Sequence, residues 1–158
     1  MKILGIDPGI ERLGCGVLIK NEGKFERINS GVKKTLKTQK QSERLFEIQC
    51  FLEELIQDEK PDAMSVEKLF FAKNAKTALT ISEVRGVILS TAQKYKLSIT
   101  EFTPLQVKMA VCGYGRATKE NVAKMLKLSM VLPQKNLLDD ETDALAIALT
   151  GALYHRYP

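Results

Sequence analysis

Asp7 closes the apolar run Lys2-Ile3-Leu4-Gly5-Ile6 and is followed at once by Pro8-Gly9. Glu67 closes a second such run, Ala63-Met64-Ser65-Val66. Asp140 and Asp143 lie three residues apart in Asp139-Asp140-Glu141-Thr142-Asp143, just ahead of the apolar segment Ala144 to Leu149. A short continuous apolar run reads as a strand buried on both faces, and a carboxylate at its end costs free energy unless something pairs with it. Each acid alone has an ordinary explanation. An Asp before Pro-Gly is a turn residue, and acids at a helix start complement its dipole and cap it. That explanation does not cover strand-end acids from two distant parts of the chain. Four carboxylates sharing one small site cannot all stay ionised without cations. All-oxygen ligands select hard ions, so Mg²⁺, or Mn²⁺ in its place, is expected. Two such ions about 3.5–4 Å apart clamp the attacking and leaving oxygens of a phosphodiester, and one lowers the pKa of a bound water. No histidine is required, and the only one in the chain is His155.

The elements that must carry these acids follow from period and punctuation. After the first strand and the Pro8-Gly9 turn, Gly14 and Gly16 leave room for close approach as Val17-Leu18-Ile19 departs. Asn21-Glu22-Gly23 is a turn leading to a third strand over Lys24–Lys33, with Ile28, Ser30 and Val32 on one face, so the first strands form an antiparallel meander. The basic stretch Lys33–Lys40 is either a solvated loop or a phosphate-contacting one. From Ser42, a suitable N-cap, Leu45, Ile48, Leu52, Leu55 and Ile56 recur at helix spacing until Lys60-Pro61-Asp62. The strand ending at Glu67 is followed by an irregular stretch over Lys68–Lys76 and a helix over Thr77–Tyr95. A strand then runs to Phe102, with helices over Leu105–Val111, over Lys119–Leu128 capped by Thr118, and from near Asp140. The order β-β-β-α-β-α-β-α-α-α predicts an α/β fold: a mixed five-stranded sheet with helices on both faces.

Composition narrows the function classes. The 158 residues suit a single domain over 1–158. A net charge of +5 favours a polyanionic partner. Cys15, Cys50 and Cys112 are scattered, as reduced core thiols would be. No apolar run approaches the roughly 18 residues of a membrane span, and Met1-Lys2 leads straight into a strand, so no membrane association and a cytoplasmic location are expected.

Taken together, Gly5-Ile6-Asp7-Pro8-Gly9 with Gly14-x-Gly16, Val66-Glu67-Lys68-Leu69-Phe70-Phe71-Ala72-Lys73-Asn74, Gln106-Val107-Lys108, Gly113-x-Gly115-x-x-x-Lys119 and Asp140-x-x-Asp143-Ala144-Leu145-Ala146 closely resemble the RuvC family of Holliday junction resolvases. The resemblance spans nearly the whole chain in the right order. It implies an RNase H-like fold and a homodimer that makes two symmetric, metal-dependent nicks in four-way junction DNA, in recombination and repair. It also implies a branch-migration helicase complex as a partner. Asp7, Glu67, Asp140 and Asp143 match the family's metal-binding acids, with two Mg²⁺ per site. Lys108 and Lys119 match lysines near the scissile phosphate, where a cation offsets charge on the transition state; without the match, each would read as an ordinary surface lysine. Phe70 matches an aromatic that stacks on a base, with Phe71 expected to face the core. Lys73, Asn74 and Arg85 are further expected DNA contacts. Three other readings compete. An actin-like ATPase or sugar kinase would need a second domain and a second phosphate loop. A different RNase H-like nuclease would cut hybrid or simple duplex. A non-catalytic DNA-binding module would have no use for four retained acids, which repel DNA unless cations fill them.

Overall fold

The computed structural model describes residues 1–68, 75–132 and 137–155. Among them run β1 (Lys2–Asp7), β2 (Arg12–Asn21), β3 (Lys24–Lys34), α1 (Gln41–Glu59), β4 (Ala63–Glu67), α2 (Ala75–Lys94), β5 (Ser98–Phe102), α3 (Pro104–Cys112), α4 (Lys119–Ser129) and α5 (Asp139–Tyr154). The strands form one sheet in the order β3-β2-β1-β4-β5. β2 is antiparallel to β1 and β3, while β1, β4 and β5 run parallel. The mixed five-stranded sheet is the one expected. β1 and β4 lie inside it, which is why their sequences are continuously apolar: Ile3, Leu4, Ile6, Met64 and Val66 are all fully buried.

The strands' side chains divide the core in two. Ile3 and Leu18 pack with α3, α4 and α5 through Val107, Leu126, Leu145 and Ile147. Leu4, Ile6 and Val17 pack with α1 and α2 through Ile48, Leu52, Val84 and Ile88. Helices therefore cover both faces. α5 is buried along most of its length and lies directly on β1: a Cβ added to Gly5 would fall 2.2 Å from the Ala144 carbonyl oxygen. Only a glycine permits that approach, and the Ala-rich face of α5 completes it.

Several boundaries differ from the sequence expectation. β2 begins at Arg12 rather than Val17, because Gly14 and Gly16 pair with Asp7 and Gly5 inside the ladder. The β2–β3 register shifts beside Val17 and Leu18, which pair with Asn29 and Arg27. Ile28 is the extra residue of that bulge and is 39% exposed, so the face expected for Ile28, Ser30 and Val32 is broken there. α1 starts at Gln41, with Lys40 rather than Ser42 at the cap; the Glu43 carboxylate accepts the Lys40 N–H at 3.0 Å. α2 begins at Ala75, inside the stretch expected to be irregular. Thr118 does cap α4, accepting from the Asn121 N–H at 3.3 Å.

Candidate active site

Ile6 pairs with Val66 across the parallel β1–β4 ladder, so Asp7 and Glu67 emerge side by side at the carboxyl end of the sheet. In an open α/β sheet that end is where sites form. Burial pushes Asp7 up from its ordinary 3.8 to about 7, and Glu67, Asp143 and Asp140 push the same way against Lys119. Glu67 is also raised, first by burial and then by Asp143, with Lys119 opposing. Asp7 thus shares a field with both helix acids, and Glu67 with Asp143.

α5 brings Asp140 and Asp143 to the same end. Its first turn is fixed by Glu141, which accepts the Leu138 N–H at 3.2 Å and the Ser30 hydroxyl at 2.9 Å. Opposite Asp7 in the ladder stands Gly14, where a Cβ would lie 2.1 Å from the Asp140 backbone oxygen. Each helix acid has a cation. Lys119, the first residue of α4, donates to Asp143 Oδ2 at 2.8 Å, and this bond raises the lysine's pKa. Arg12 Nη2 sits 2.5 Å from Asp140 Oδ2, an ion pair without hydrogen-bond alignment, so that buried oxygen has no hydrogen bond. α3 closes the site: Thr103 caps it beyond β5, and Lys108 lies one turn further on. Glu67, Lys108, Lys119 and Asp143 line one cavity of about 210 Å³, floored by Val107, Val122 and Ile147.

Residues 3–151 match the family described as crossover junction endodeoxyribonuclease RuvC. The chain belongs to the RuvC family. The protein so described from Prochlorococcus marinus (strain NATL2A) is 46% identical over 153 residues, covering 96% of this chain and 97% of the relative. That from Petrotoga mobilis is also 46% identical, over 156 residues, covering 99% and 96%. Among solved structures, Thermus thermophilus RuvC in complex with Holliday junction substrate superposes with a TM-score of 0.91 at 35% identity, covering 98% of this chain and 94% of that one. The yeast mitochondrial Holliday junction resolvase shares the fold, with a TM-score of 0.70 at 14% identity. The RNase H-like architecture is therefore that of the junction resolvases, and the chain is an endonuclease of a metal-dependent family.

The RuvC resemblance proposed six residues for the chemistry, and all six fall among the described residues at the carboxyl end of the sheet. The donor set suits a hard cation: four carboxylates, with Asp140 Oδ2 buried and without a hydrogen bond. Among the described residues no three acids are grouped closely enough to hold one ion; Asp143 faces Lys119 and Asp140 faces Arg12. Phe70, Phe71, Lys73 and Asn74 lie outside the described residues. Arg85 is described: its guanidinium pairs with Glu101 between α2 and β5 and is 19% exposed, with Nε buried and without a partner. Among the described residues no helix is long and apolar enough to cross a membrane.

Two arginines were missed by the sequence reading. Arg12 stands five residues after Asp7, and its charge beside the strand-end acid was the available signal. Arg44 is 8% exposed and shares the inward stripe of α1 with Ile48, Leu52 and Leu55, whereas Leu45, expected to face inward, is half-buried. A charge at i−4 from a core isoleucine was the signal there.

Proposed function

We propose that this chain resolves four-way DNA junctions by hydrolysing phosphodiesters with two Mg²⁺ ions, as a homodimer that makes symmetric nicks. What carries the reading is the convergence of acids and lysines at one end of the sheet. Glu67 and Asp143 line a cavity with Lys108 and Lys119, and both, together with Asp140, act on Asp7. Asp7, Glu67, Asp140 and Asp143 would hold the ions. When bound, these supply Lewis acidity and a water acidic enough to attack phosphorus.

The chain's own residues prepare that site. Asp7, raised to about 7, sheds its proton as it takes up a ligand role. Arg12 leaves Asp140 Oδ2, which frees a buried acceptor. Lys119 exchanges Asp143 for the phosphoryl oxygens and, with Lys108 on the cavity wall, offsets charge on the pentacoordinate transition state. Phe70 stacks on a base at the junction centre, Lys73 and Asn74 contact phosphate, and Arg85 does so by exchanging its Glu101 partner for one. Two-fold symmetry of the junction asks for two sites related by a two-fold axis, which a C₂ dimer supplies. α2, with Leu79 68% exposed, is the helix proposed for that interface. A branch-migration helicase complex is the proposed partner, and the cytoplasm the proposed location.

The test is cleavage of a mobile four-way junction beside linear duplex and an RNA–DNA hybrid, each with Mg²⁺ and with EDTA. Paired symmetric nicks confined to the junction with Mg²⁺ are expected. Cutting of the hybrid instead would keep the site and replace the substrate. Tight junction binding without any cutting would leave a binding module.

A further inference from the structure

A groove of about 590 Å³ opens beside the catalytic turn, lined by Gly9, Arg12, Lys37, Arg44, Thr77 and Thr80. Its most telling wall is Arg44. This side chain is more than nine-tenths buried, yet among the described residues no carboxylate pairs with it. Its Nε donates to the Thr35 hydroxyl at 2.8 Å, and that hydroxyl donates to the Ile10 carbonyl at 2.5 Å. The chain of bonds fixes the plane of the guanidinium against the β1–β2 turn. Nη2 is left buried with no hydrogen-bond partner.

A buried guanidinium held by one neutral hydroxyl is a costly arrangement for a fold to keep, since an uncompensated buried charge loses its hydration for nothing in return. An anion removes that cost. The surroundings favour one. α1 begins at Gln41 and α2 at Ala75, so the first turns of both helices, with their partial positive charge, adjoin the groove. The Thr77 and Thr80 positions add hydroxyls. Glu11 also lines the groove, its carboxylate paired with Lys37 at 3.1 Å, and Glu43 accepts the Lys40 N–H. Arg12 borders this groove and also pairs with Asp140, so the groove adjoins the catalytic acids through one side chain.

We infer that this groove is a second phosphate site, in which Arg44, braced by Thr35, grips a non-scissile backbone phosphate of the DNA whose neighbouring phosphodiester is cut. The inference rests on the junction-cutting reading above. It assigns to Arg44 a binding role outside the six residues of the reaction. A fork of N–H donors fixed in one plane suits a phosphate better than a lysine would.

The experiment uses the full chain and two variants, Arg44→Gln and Thr80→Glu; the second places a carboxylate on the groove wall to satisfy Arg44 internally. Junction binding is followed by fluorescence anisotropy in EDTA across a salt series. Arg44→Gln is expected to weaken binding roughly tenfold to a hundredfold, as loss of a charge-assisted hydrogen bond does, and to lower the salt slope by about 0.9. Thr80→Glu should weaken binding similarly while raising the melting temperature of the free protein. Melting with inorganic phosphate supplies the direct probe: phosphate should stabilise wild type and leave both variants unmoved. Wild-type affinity and slope in Thr80→Glu would overturn the inference, even if Arg44→Gln fails to fold. So would a phosphate response confined to melting, with unchanged salt slopes, since that describes a free-anion site. If wild type neither prefers nor cuts junctions, yet its phosphate stabilisation depends on Arg44, the junction reading falls and the anion site stands.

Discussion

Replacing Asp7 by Asn should make the protein more stable while destroying its activity. Asp7 is squeezed by burial and by three other carboxylates, which lift its pKa from 3.8 to about 7. In the unfolded chain it ionises near the lower value, so between the two the folded state holds a proton that the unfolded state has lost. Stability contributed by this group is full below about pH 4 and is lost as pH rises through about 7. The shift of about three units, at 1.36 kcal/mol each, sets a ceiling of about 4 kcal/mol. Asp7 is only half-buried, and solvent screening brings the expected gain of Asp7→Asn down to about 1–3 kcal/mol above about pH 8. Below about pH 4 the acid is neutral in both states, and the gain should vanish. Urea unfolding in EDTA at the two pH values measures both numbers. Adding Mg²⁺ at the higher pH should stabilise wild type more than the variant, because only wild type keeps the full ligand set. A variant no more stable than wild type near pH 8, or one equally stabilised near pH 4, would refute the claim that these carboxylates crowd one site.

Three further outcomes follow from the same geometry. Lys119→Gln removes the cation on Asp143 and should slow single-turnover cleavage about a hundredfold with junction affinity nearly unchanged; a matching loss of affinity would make Lys119 a docking residue. Gly14→Ala drives a methyl into the Asp140 carbonyl, 2.1 Å from where the Cβ must sit. It should cost about 1–3 kcal/mol in unfolding experiments and lower the apparent affinity for Mg²⁺; a variant with wild-type melting and metal response would show that α5 does not hold the acids in place. Phe70→Ala should reduce cleavage far more than binding, with a stacking loss of about 1–3 kcal/mol; equal losses would assign Phe70 to the fold.

The strand-end acids were legible because β1 and β4 are inside the sheet: their sequences must be apolar, so Asp7 and Glu67 stand out at the point where each strand leaves the core. The antiparallel meander of the first three strands was legible as well, from the turn residues between them. The phase of α1 was not. Apolar residues flank both sides of its inward stripe, so turning the helix by one residue exchanges Leu45 for Arg44, and the Thr35 hydroxyl that braces the arginine inside comes from the β3–α1 connection, outside the helix's own period. β2 was read too short because Gly14 and Gly16 look like breakers along the chain, whereas what they accommodate is α5, more than a hundred residues later. The ion pairs of Arg12 and Lys119 were illegible for a related reason, since each joins segments that no local period connects.

The close seat of α5 on β1 also fixes when in the protein's life it can cut DNA. Ribosomes deliver the chain from its amino end, so Asp7 and Glu67 are in place long before Asp140 and Asp143. Until α5 arrives, one face of the sheet lacks most of its cover, and two of the four proposed ligands have yet to be made. A nascent chain therefore carries an incomplete site. The step that completes the core is the step that arms the enzyme, and a product truncated before α5 loses both together.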